Sequence, residues 1–594
     1  MSAGPHGRLA SGIHRLNGKP LVYRLDHRVD PVDDGCSVSF SSYDVSSLHR
    51  TQVLLVGGGP IGLALAVELG WRGISCTLLD QGNGVVEHPR TGLIAVRTME
   101  AFRRWGIAER IRACGFPDDY PLSMVFCTSL NGRLLDREPY PSMLETPTPP
   151  ETPEKKQRCP QMWMQPILTA AAHEERNATI LYGRRCEGLR QDDLGVTAEV
   201  VRLEDGGREM FSAEYLVGCD GATSTVRECL GIEMKGRLLS YSVNILIRSP
   251  GLVERHAMGP AERYLFVGPE GTWGNLTVVD GDAIWRLTVL GSKEKFDLST
   301  FDSEHWVRRA FGSEDIPFEI LSVQAWRRSE MLAERWLDGR IVLAGDSTHT
   351  MSPTGGMGMN TGMQEVLDLG WKLEALLEGW GGPRLLPSYE VERRPVAERN
   401  IAFSTQNFKA WVDTPDPSCV LDDDEAGERT RALIGQRLRD STRVEWESLG
   451  LQIGHRYDES PIVVPDGTPP GPDDYSIYRP TSRPGARAPH AWLPDGRSTL
   501  DLFGRTFVLL VFDDATGASA AMQQAFDEHS VPLEVVRLTD PAVARLYERA
   551  LVLVRPDGHV AWRGDAVADP AVIAITVTGR VLRTSSSART ARTA

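Results

Sequence analysis

The chain has 594 residues, too many for one hydrophobic core, and its length predicts about three or four domains. Hydrophobic residues make up 41% and charged residues 24%, with no apolar run of membrane-span length, so the composition is that of a globular chain. The 80 acidic against 65 basic residues leave a net charge of −15, which argues against a nucleic-acid or membrane surface and for a small-molecule partner. The nine cysteines form no CxxC pair and no metal-ligand spacing with histidine, so no metal is expected and the thiols read as reduced, mostly buried and cytoplasmic. The first residues show no charged-then-apolar signal pattern.

Residues 1–48 carry Gly, Ser, His and Arg without sustained periodicity and read as a loosely docked extension, with room for one short strand at Leu21-Val22-Tyr23. From Gln52 the pattern becomes orderly. Residues 53–56 are an apolar strand, Gly57-Gly58-Gly59-Pro60-Ile61-Gly62 follows, residues 63–71 form an apolar helix, and a second strand over 74–79 ends at Asp80. This is a dinucleotide-binding fingerprint in its required frame. Gly57 permits the tight turn in which Pro60 also stands, Gly59 lets backbone approach a pyrophosphate, and Gly62 lets helix and strand pack closely. Asp80 is placed to accept hydrogen bonds from a ribose diol. No second fingerprint occurs, which leaves open a dehydrogenase using a nicotinamide or a flavoprotein holding FAD.

His88-Pro89-Arg90 comes next, before a helix opened by Arg97-Thr98-Met99-Glu100. Arg90 is a candidate clamp on a pyrophosphate and Arg97 a second cofactor candidate ordered by Glu100, although a salt bridge on the helix surface explains Arg97 and Glu100 as well. Residues 141–160, rich in Pro, Thr and Glu, read as an exposed loop. Gln165-Pro166 starts a helix, where Gln165 is a cap unless a cofactor claims it. Strands over 179–182, 196–203 and 210–217 follow, and the last delivers Gly218-Cys219-Asp220-Gly221 to its carboxyl end. Asp220 is then either a strand-end carboxylate on the same crevice or an ordinary Asp-Gly turn with Ser224 as N-cap.

Over 241–290 the character changes to alternating strands, an antiparallel sheet laid over the cofactor. Tyr264, Trp273, Asn275, Trp285 and Thr288 are candidates to line a pocket for a flat ring, though half of any strand faces elsewhere. Residues 341–344 then form a buried strand ending at Gly345-Asp346, Pro353-Thr354-Gly355-Gly356 makes a loop of little bulk, and the pattern turns helical near Asn360. Such a loop offers unpaired N–H groups and a helix dipole to something flat and anionic, or else serves only as a connection. Charged helices over 387–400 and 429–449, an acidic loop over 415–427 and a Pro/Gly/Asp-rich linker over 461–487 lead to a last domain. Its strands at 507–512 and 533–538, helix at 520–529 and hairpin turned at Asp557-Gly558 follow a thioredoxin-like order without a single cysteine, so its role is structural or dimer-contacting. Residues 583–594 read as a disordered tail.

Three motifs thus stand in order: GGGPIG at 57–62, CDGATSTVR at 219–227 and GDSTHTMSPTGGMGMNTG at 345–362. Together they resemble the single-component FAD-dependent aromatic hydroxylases with the p-hydroxybenzoate hydroxylase fold. PGARAPHAWLPDGRSTLDLFG at 484–504 resembles the branch containing phenol hydroxylase and the polyketide hydroxylases. The resemblance implies an α/β chain with a Rossmann-like FAD-binding domain over 49–235 and 325–400, an inserted antiparallel-sheet substrate domain over 236–324, a helical segment and linker over 401–483, a redox-inactive thioredoxin-like domain over 484–578 and a tail over 579–594.

Residue by residue, it implies that Gly57, Gly59, Gly62 and Asp80 hold the ADP half of FAD, and that Arg90 and Gln165 meet the pyrophosphate and ribityl region. Asp346 would bond the ribityl hydroxyls, Pro353 would sit beside the reacting face, and backbone from Gly356 through Gly358, Met359 and Asn360 would follow the pyrimidine edge. Asp220 lies in a segment linked in the family to both FAD and NADPH. The chain departs from the family pattern at Asp80 (usually Glu), Thr223 (Arg), Ser347 and Thr348 (two Ala), Met357 (Gln) and Glu365 (Asp), and where phenol hydroxylase has a carboxylate thought to activate the substrate it has Gly92 or a neighbour, so the resemblance names no catalytic base. The implied reaction uses NADPH or NADH and O2 to form a flavin C4a-hydroperoxide that hydroxylates a phenol, hydroxypyridine or polyketide-type ring, with Tyr264 as the candidate partner of the substrate oxygen. Baeyer–Villiger insertion, a flavin-free nicotinamide oxidoreductase and a non-catalytic scaffold are the alternatives, and a homo-oligomer is expected.

Overall fold

The computed structural model describes residues 48–90, 92–512 and 516–581. The strand expected at 21–23 and the tail from 582 onward lie outside the described residues. Residues 579–581, expected in that tail, still belong to the folded body: Arg580 Nε donates to the Trp380 carbonyl at 3.1 Å.

Apolar runs punctuated by glycine give the first layer. β1 (Leu48–Val56) leads into α1 (Pro60–Trp71) and β2 (Cys76–Asp80), and after α2 (Val96–Arg104) and α3 (Gln161–Glu174) come β3 (Ala178–Tyr182) and β4 (Arg208–Gly218). β1 pairs in parallel with β2 and β4, and β2 with β3. Val53, Leu54 and Leu55 are wholly buried, as a strand covered on both faces requires. Between β3 and β4 a hairpin of Arg184–Gln191 and Val196–Arg202 extends the sheet, and its first strand escapes the sequence reading because its polar residues alternate too weakly.

A second sheet follows from β5 (Met234–Arg248), β6 (Arg263–Gly268), β7 (Gly271–Val278), β8 (Ile284–Ser292) and β9 (Glu319–Ala333), ordered β9–β5–β8–β7–β6. Three further strands of this sheet, Met124–Cys127, Leu134–Glu138 and His349–Thr350, lie outside the expected 236–324. β9 runs past that limit because its ladder with β5 continues to Ala333 opposite Met234. The strand Met124–Cys127 joins β6 in parallel and carries Leu134–Glu138 on its far side. β10 (Ile341–Leu343) then returns to the first sheet beside β4, and α4 (Met357–Leu377), α5 (Pro387–Val412) and α6 (Glu425–Trp446) follow. The crevice between the sheets therefore opens at the carboxyl ends of β1, β2, β4 and β10.

The segment 141–160 is largely irregular as expected, with its first half mostly exposed, but its second half is largely buried. Its Thr152 and Glu154 are buried, Thr152 Oγ1 donates to Glu100 Oε1 at 2.8 Å, and Glu154 pairs with Arg103 and Arg112. Proline and threonine mark it as loop; the half-buried arginines that recruit Glu154 are not visible from its own composition.

The last domain contains β11 (Phe507–Val511), α7 (Thr516–Glu528), β12 (Leu533–Arg537), β13 (Leu551–Val554) and β14 (Val560–Gly564), with β11 parallel to β12 and the rest antiparallel. Trp371 of α4 meets Trp380 at 6.3 Å and Phe507 at 5.8 Å between ring centroids, so the domain shares a core with the FAD-binding half. Charge seals the same boundary. Arg487 pairs with Glu100 of α2, while Arg555 reaches Glu392 of α5 at 3.0 Å and Asp368 of α4 at 3.1 Å. Lys372 completes the cluster, 2.8 Å from Asp368 and 2.6 Å from Glu392.

Arg97 belongs to this boundary rather than to a cofactor site, and that corrects the sequence expectation. Its guanidinium donates to Glu100 at 2.8 Å and to the Asp557 carbonyl at 2.6 Å, and the whole pair is buried, not on the surface. Among the described residues no helix is long and apolar enough to cross a membrane, no group of side chains is arranged to hold a metal, and all eight cysteines are free.

Candidate active site

The glycine turn has the geometry its sequence demands. Gly57 takes φ of +108°, and a Cβ there would lie 2.4 Å from the Cys219 carbonyl oxygen. A Cβ on Gly62 would lie 1.9 Å from the Gly57 oxygen, so α1 starts hard against the turn. Gly59 meets nothing within 4 Å, leaving open space in front of the α1 N-terminus, which has no side-chain cap. Asp80 accepts from Gly58 N at 2.6 Å and Gly82 N at 2.7 Å, so the carboxylate expected at a ribose is bound up in shaping the glycine loop. Pro60 is the first residue of α1, where its missing N–H costs no bond.

Two more carboxylates meet the same crevice. Asp220 Oδ2 accepts from Val226 N at 3.1 Å, whereas Oδ1 is buried without a partner, and burial raises its carboxyl above the usual range. Asp346 is exposed to the crevice and has no hydrogen-bond partner among the described residues. The surrounding protein mass raises it too, opposed by His349 and Arg90. Behind it, Glu365 ties the turn to α4 through the Gly345 amide and His349.

The loop from Pro353 ends at Gly356, whose φ of +65° starts α4 with no side-chain cap, so the first-turn N–H groups around Gly358 and Met359 stay available. Asn360 fixes that helix end. Its Oδ1 accepts from Ala95 N at 2.9 Å and Thr98 Oγ1 at 2.8 Å, and its Nδ2 donates to Leu93 O at 3.1 Å and Gly356 O at 2.7 Å. The Asn360 side chain is therefore a latch, and only its backbone is left to meet a ligand. Gln165 lies inside α3 rather than at its cap; its Oε1 accepts from Gln161 Nε2 at 3.1 Å, and Gln161 in turn accepts from Arg90 N at 3.0 Å. Arg90 itself is exposed at the crevice mouth.

The second sheet turns only one face to this loop. Leu265, Asn275, Thr288 and Asn244 are neighbours across β6, β7, β8 and β5, so they share that face. Thr288 Oγ1 donates to Asn244 Oδ1 at 2.8 Å, and Thr277 Oγ1 to Asn275 Oδ1 at 3.2 Å. One register step along, Arg263 and Arg286 flank Thr277. Arg263 pairs with Glu445 at 2.8 Å, and Glu445 also accepts from Gly355 N at 3.0 Å, which joins this face to the glycine loop.

Tyr264, Trp273 and Trp285 do not belong to it. Tyr264 adjoins Leu265 and therefore points to the opposite side, where it is wholly buried and its hydroxyl donates to Gly259 O at 2.6 Å. Trp285 is packed against it at 6.2 Å, and Trp273, swung by the bulge at Phe266/Val267, stacks on Phe266 at 5.1 Å. Tyr264 thus cannot bond a substrate oxygen, and of the five substrate candidates only Asn275 and Thr288 face the crevice.

Against this geometry, the sequence matches the FAD binding domain family over residues 50–404 and the family described as aromatic-ring hydroxylase, C-terminal, over residues 481–581. The chain belongs to the FAD-dependent aromatic-ring hydroxylases. The solved rebeccamycin biosynthetic enzyme RebC, soaked with chromopyrrolic acid and holding 7-carboxy-K252c, is 41% identical with TM-score 0.83, covering 90% of this chain and 100% of that one. Aklavinone-11 hydroxylase, in a ternary complex with FAD and aklavinone, is 30% identical with TM-score 0.76, covering 90% and 99%. FAD-dependent monooxygenase apdD of Emericella nidulans is 31% identical over 554 residues, 88% of each chain.

The residues present fit FAD in this hydroxylase: the space before Gly59, the unpartnered Asp220 Oδ1, the open Asp346 carboxylate and the uncapped start of α4 form one continuous set. Four further side chains shape the hydroxylase crevice without a motif to announce them. His88 Nδ1 lies 2.8 Å from Ser322 Oγ on β9, and burial, with Arg286 and Arg90 adding to it, lowers its imidazole to about 4. Arg286 Nη1 donates to Pro89 O at 2.9 Å, binding the sheet to the loop of Arg90. Glu445 comes from α6, far along the chain from any glycine motif, and Arg328 from β9, which precedes the motif at 345–362. The alternation of β8 and β9 is the only sequence signal that points to the two arginines.

Proposed function

We propose that this hydroxylase uses NAD(P)H and O2 to add one oxygen atom to an electron-rich, polar-edged aromatic compound, of the phenol, hydroxypyridine or polyketide class. The observation that carries this reading is the sheet face described above: amides, hydroxyls and arginines, with no unpaired carboxylate among its described residues, held over the Pro353–Gly356 loop through Glu445. Bound FAD supplies the oxygen-transferring chemistry, using electrons from the nicotinamide.

The chain's own part is binding and field. Asp80 and Asp346 take the ribose and ribityl hydroxyls, with Gly59 and Arg90 along the pyrophosphate and Gln165 beside Arg90. The start of α4 lends its dipole and N–H groups to negative charge on the flavin ring. Pro353 lies beside the reacting face, and Asn275 and Thr288 orient the substrate's oxygens. Arg286 suits an acidic substituent, such as the one in the name of the RebC ligand 7-carboxy-K252c. Asp220 borders both FAD and the nicotinamide approach.

The test is NAD(P)H consumption with product mass on a panel of phenols, hydroxypyridines, polyketide quinols and carboxylated polycyclic aromatics. One added oxygen with aromaticity kept supports the proposal. Ring expansion to a lactone, or reduced-nicotinamide oxidation with no oxygenated product, refutes it.

A further inference from the structure

Arg328 is only 2% exposed, yet it has no ion-pair partner among the described residues. Its single hydrogen bond runs from Nη1 to Ser352 Oγ at 2.6 Å; Nε is buried without an acceptor. The guanidinium lies 4.1 Å from the Phe408 ring centroid and 4.9 Å from that of Trp326. Other equally buried arginines are treated differently: Arg487 and Arg555 have carboxylates, and Arg393 makes three hydrogen bonds. Burying a cation with one neutral hydroxyl is expensive unless a negative group completes its surroundings. Among the described residues no carboxylate pairs with it. Glu445, the acid that acts on Arg328, is already committed to Arg263, Gly355 N and the Trp411 indole at 3.2 Å.

Ser352 precedes Pro353, and Ser352 Oγ also contacts Thr354 Oγ1, which donates to Ser404 O at 2.9 Å. Arg328 is thus attached directly to the loop that leads into α4. We propose that Arg328 is a positioning residue whose uncompensated positive charge, fixed behind the Ser352–Gly356 loop, favours negative charge on the group held by that loop. This rests on the reading that the loop faces the flavin ring. Burial lowers the guanidinium to about 9, which agrees with a cation awaiting its counter-charge.

The test is the two-electron midpoint potential of FAD in the purified holoprotein, with the FAD dissociation constant measured alongside. Arg328→Met and Arg328→Gln are each expected to make reduction at least tenfold less favourable, about 30 mV. Arg328→Lys, which keeps the charge, and Ser352→Ala, which keeps the charge and removes the hydrogen bond, are expected to stay within threefold of the parent. An unchanged potential in Arg328→Met or Arg328→Gln overturns the proposal, as does an equal loss in Arg328→Lys or Ser352→Ala. A parent protein that purifies without flavin absorption fails at the earlier step, the FAD reading itself, and is recognised before any variant is made.

Discussion

Glu365 sets one carboxylate oxygen 2.7 Å from His349 Nε2 and the other 2.7 Å from the Gly345 amide nitrogen. Both side chains are wholly buried. Burial alone would lower His349, but Glu365 and then Asp346 overcome it and raise the imidazole above 6.5. A raised folded-state value contributes stability that is complete below the unfolded value and fades as pH climbs through the folded one. His349→Gln should therefore cost about 3–5 kcal/mol near pH 6. The gap to the parent should narrow as pH rises above 6.5, which thermal melts of both proteins on the alkaline side will show.

Gly57 and Gly59 separate folding from cofactor binding. A side chain at Gly57 meets backbone and a φ of +108°, so Gly57→Ala should lose stability by about 2 kcal/mol or more together with FAD. Gly59→Val has free space in the protein alone and should melt within about 2–4 °C of the parent. It should nevertheless fail to hold FAD, because the methyl groups occupy the pyrophosphate's place. Melting curves plus flavin absorbance distinguish the two variants.

Asp346 has no side-chain hydrogen bond to lose among the described residues, and burial outweighs the pull of His349 and Arg90 on it, so Asp346→Ala should leave stability unchanged or slightly improved. Losing charge-assisted bonds to the ribityl chain should weaken FAD binding by about 10- to 100-fold. Fluorescence titration of the apoprotein measures this directly, and undiminished affinity would move the ribityl chain elsewhere.

Tyr264→Phe should cost about 1 kcal/mol, because the Gly259 carbonyl is left without its donor, and leave substrate affinity alone. Asn275→Ala should do the reverse, raising the substrate dissociation constant about tenfold with little change in melting. If Tyr264→Phe instead abolishes binding, the assignment of sheet faces is wrong.

Glu100 tests the domain boundary. Burial would raise its carboxyl, but Arg487 and Arg97 hold it down at about 2, against 4.5 for a free glutamate. That depression contributes stability on the order of 3 kcal/mol, present above about pH 4.5 and lost as pH falls toward 2. Glu100→Gln should be clearly less stable at pH 7 and approach the parent below pH 3 in chemical denaturation.

The cofactor half was legible because its signals are local. Glycines at 57 and 62 shape the turn they sit in, and Asp80 and Asp346 stand at strand ends, each within a few residues of the motif that displays it. The substrate face was not, because a face depends on register: one position separates Tyr264 from Leu265, and the bulge at Phe266/Val267 turns Trp273 away from its nominal side. Arg97 misled for a related reason. Its partner Asp557 lies in the last domain, and no spacing rule spans that distance.

The buried ion cluster at the domain boundary also orders events in time. Glu100, Asp368 and Glu392 are translated with the nearby cations Arg97 and Lys372 but well before Arg487 and Arg555, so each acid leaves the ribosome with only part of its final ion pairing in existence. The helices that frame the flavin loop thus reach their final packing only after the closing domain has been made. A chain stopped before residue 487 would leave Glu100 with Arg97 alone, and Asp368 and Glu392 with Lys372 alone.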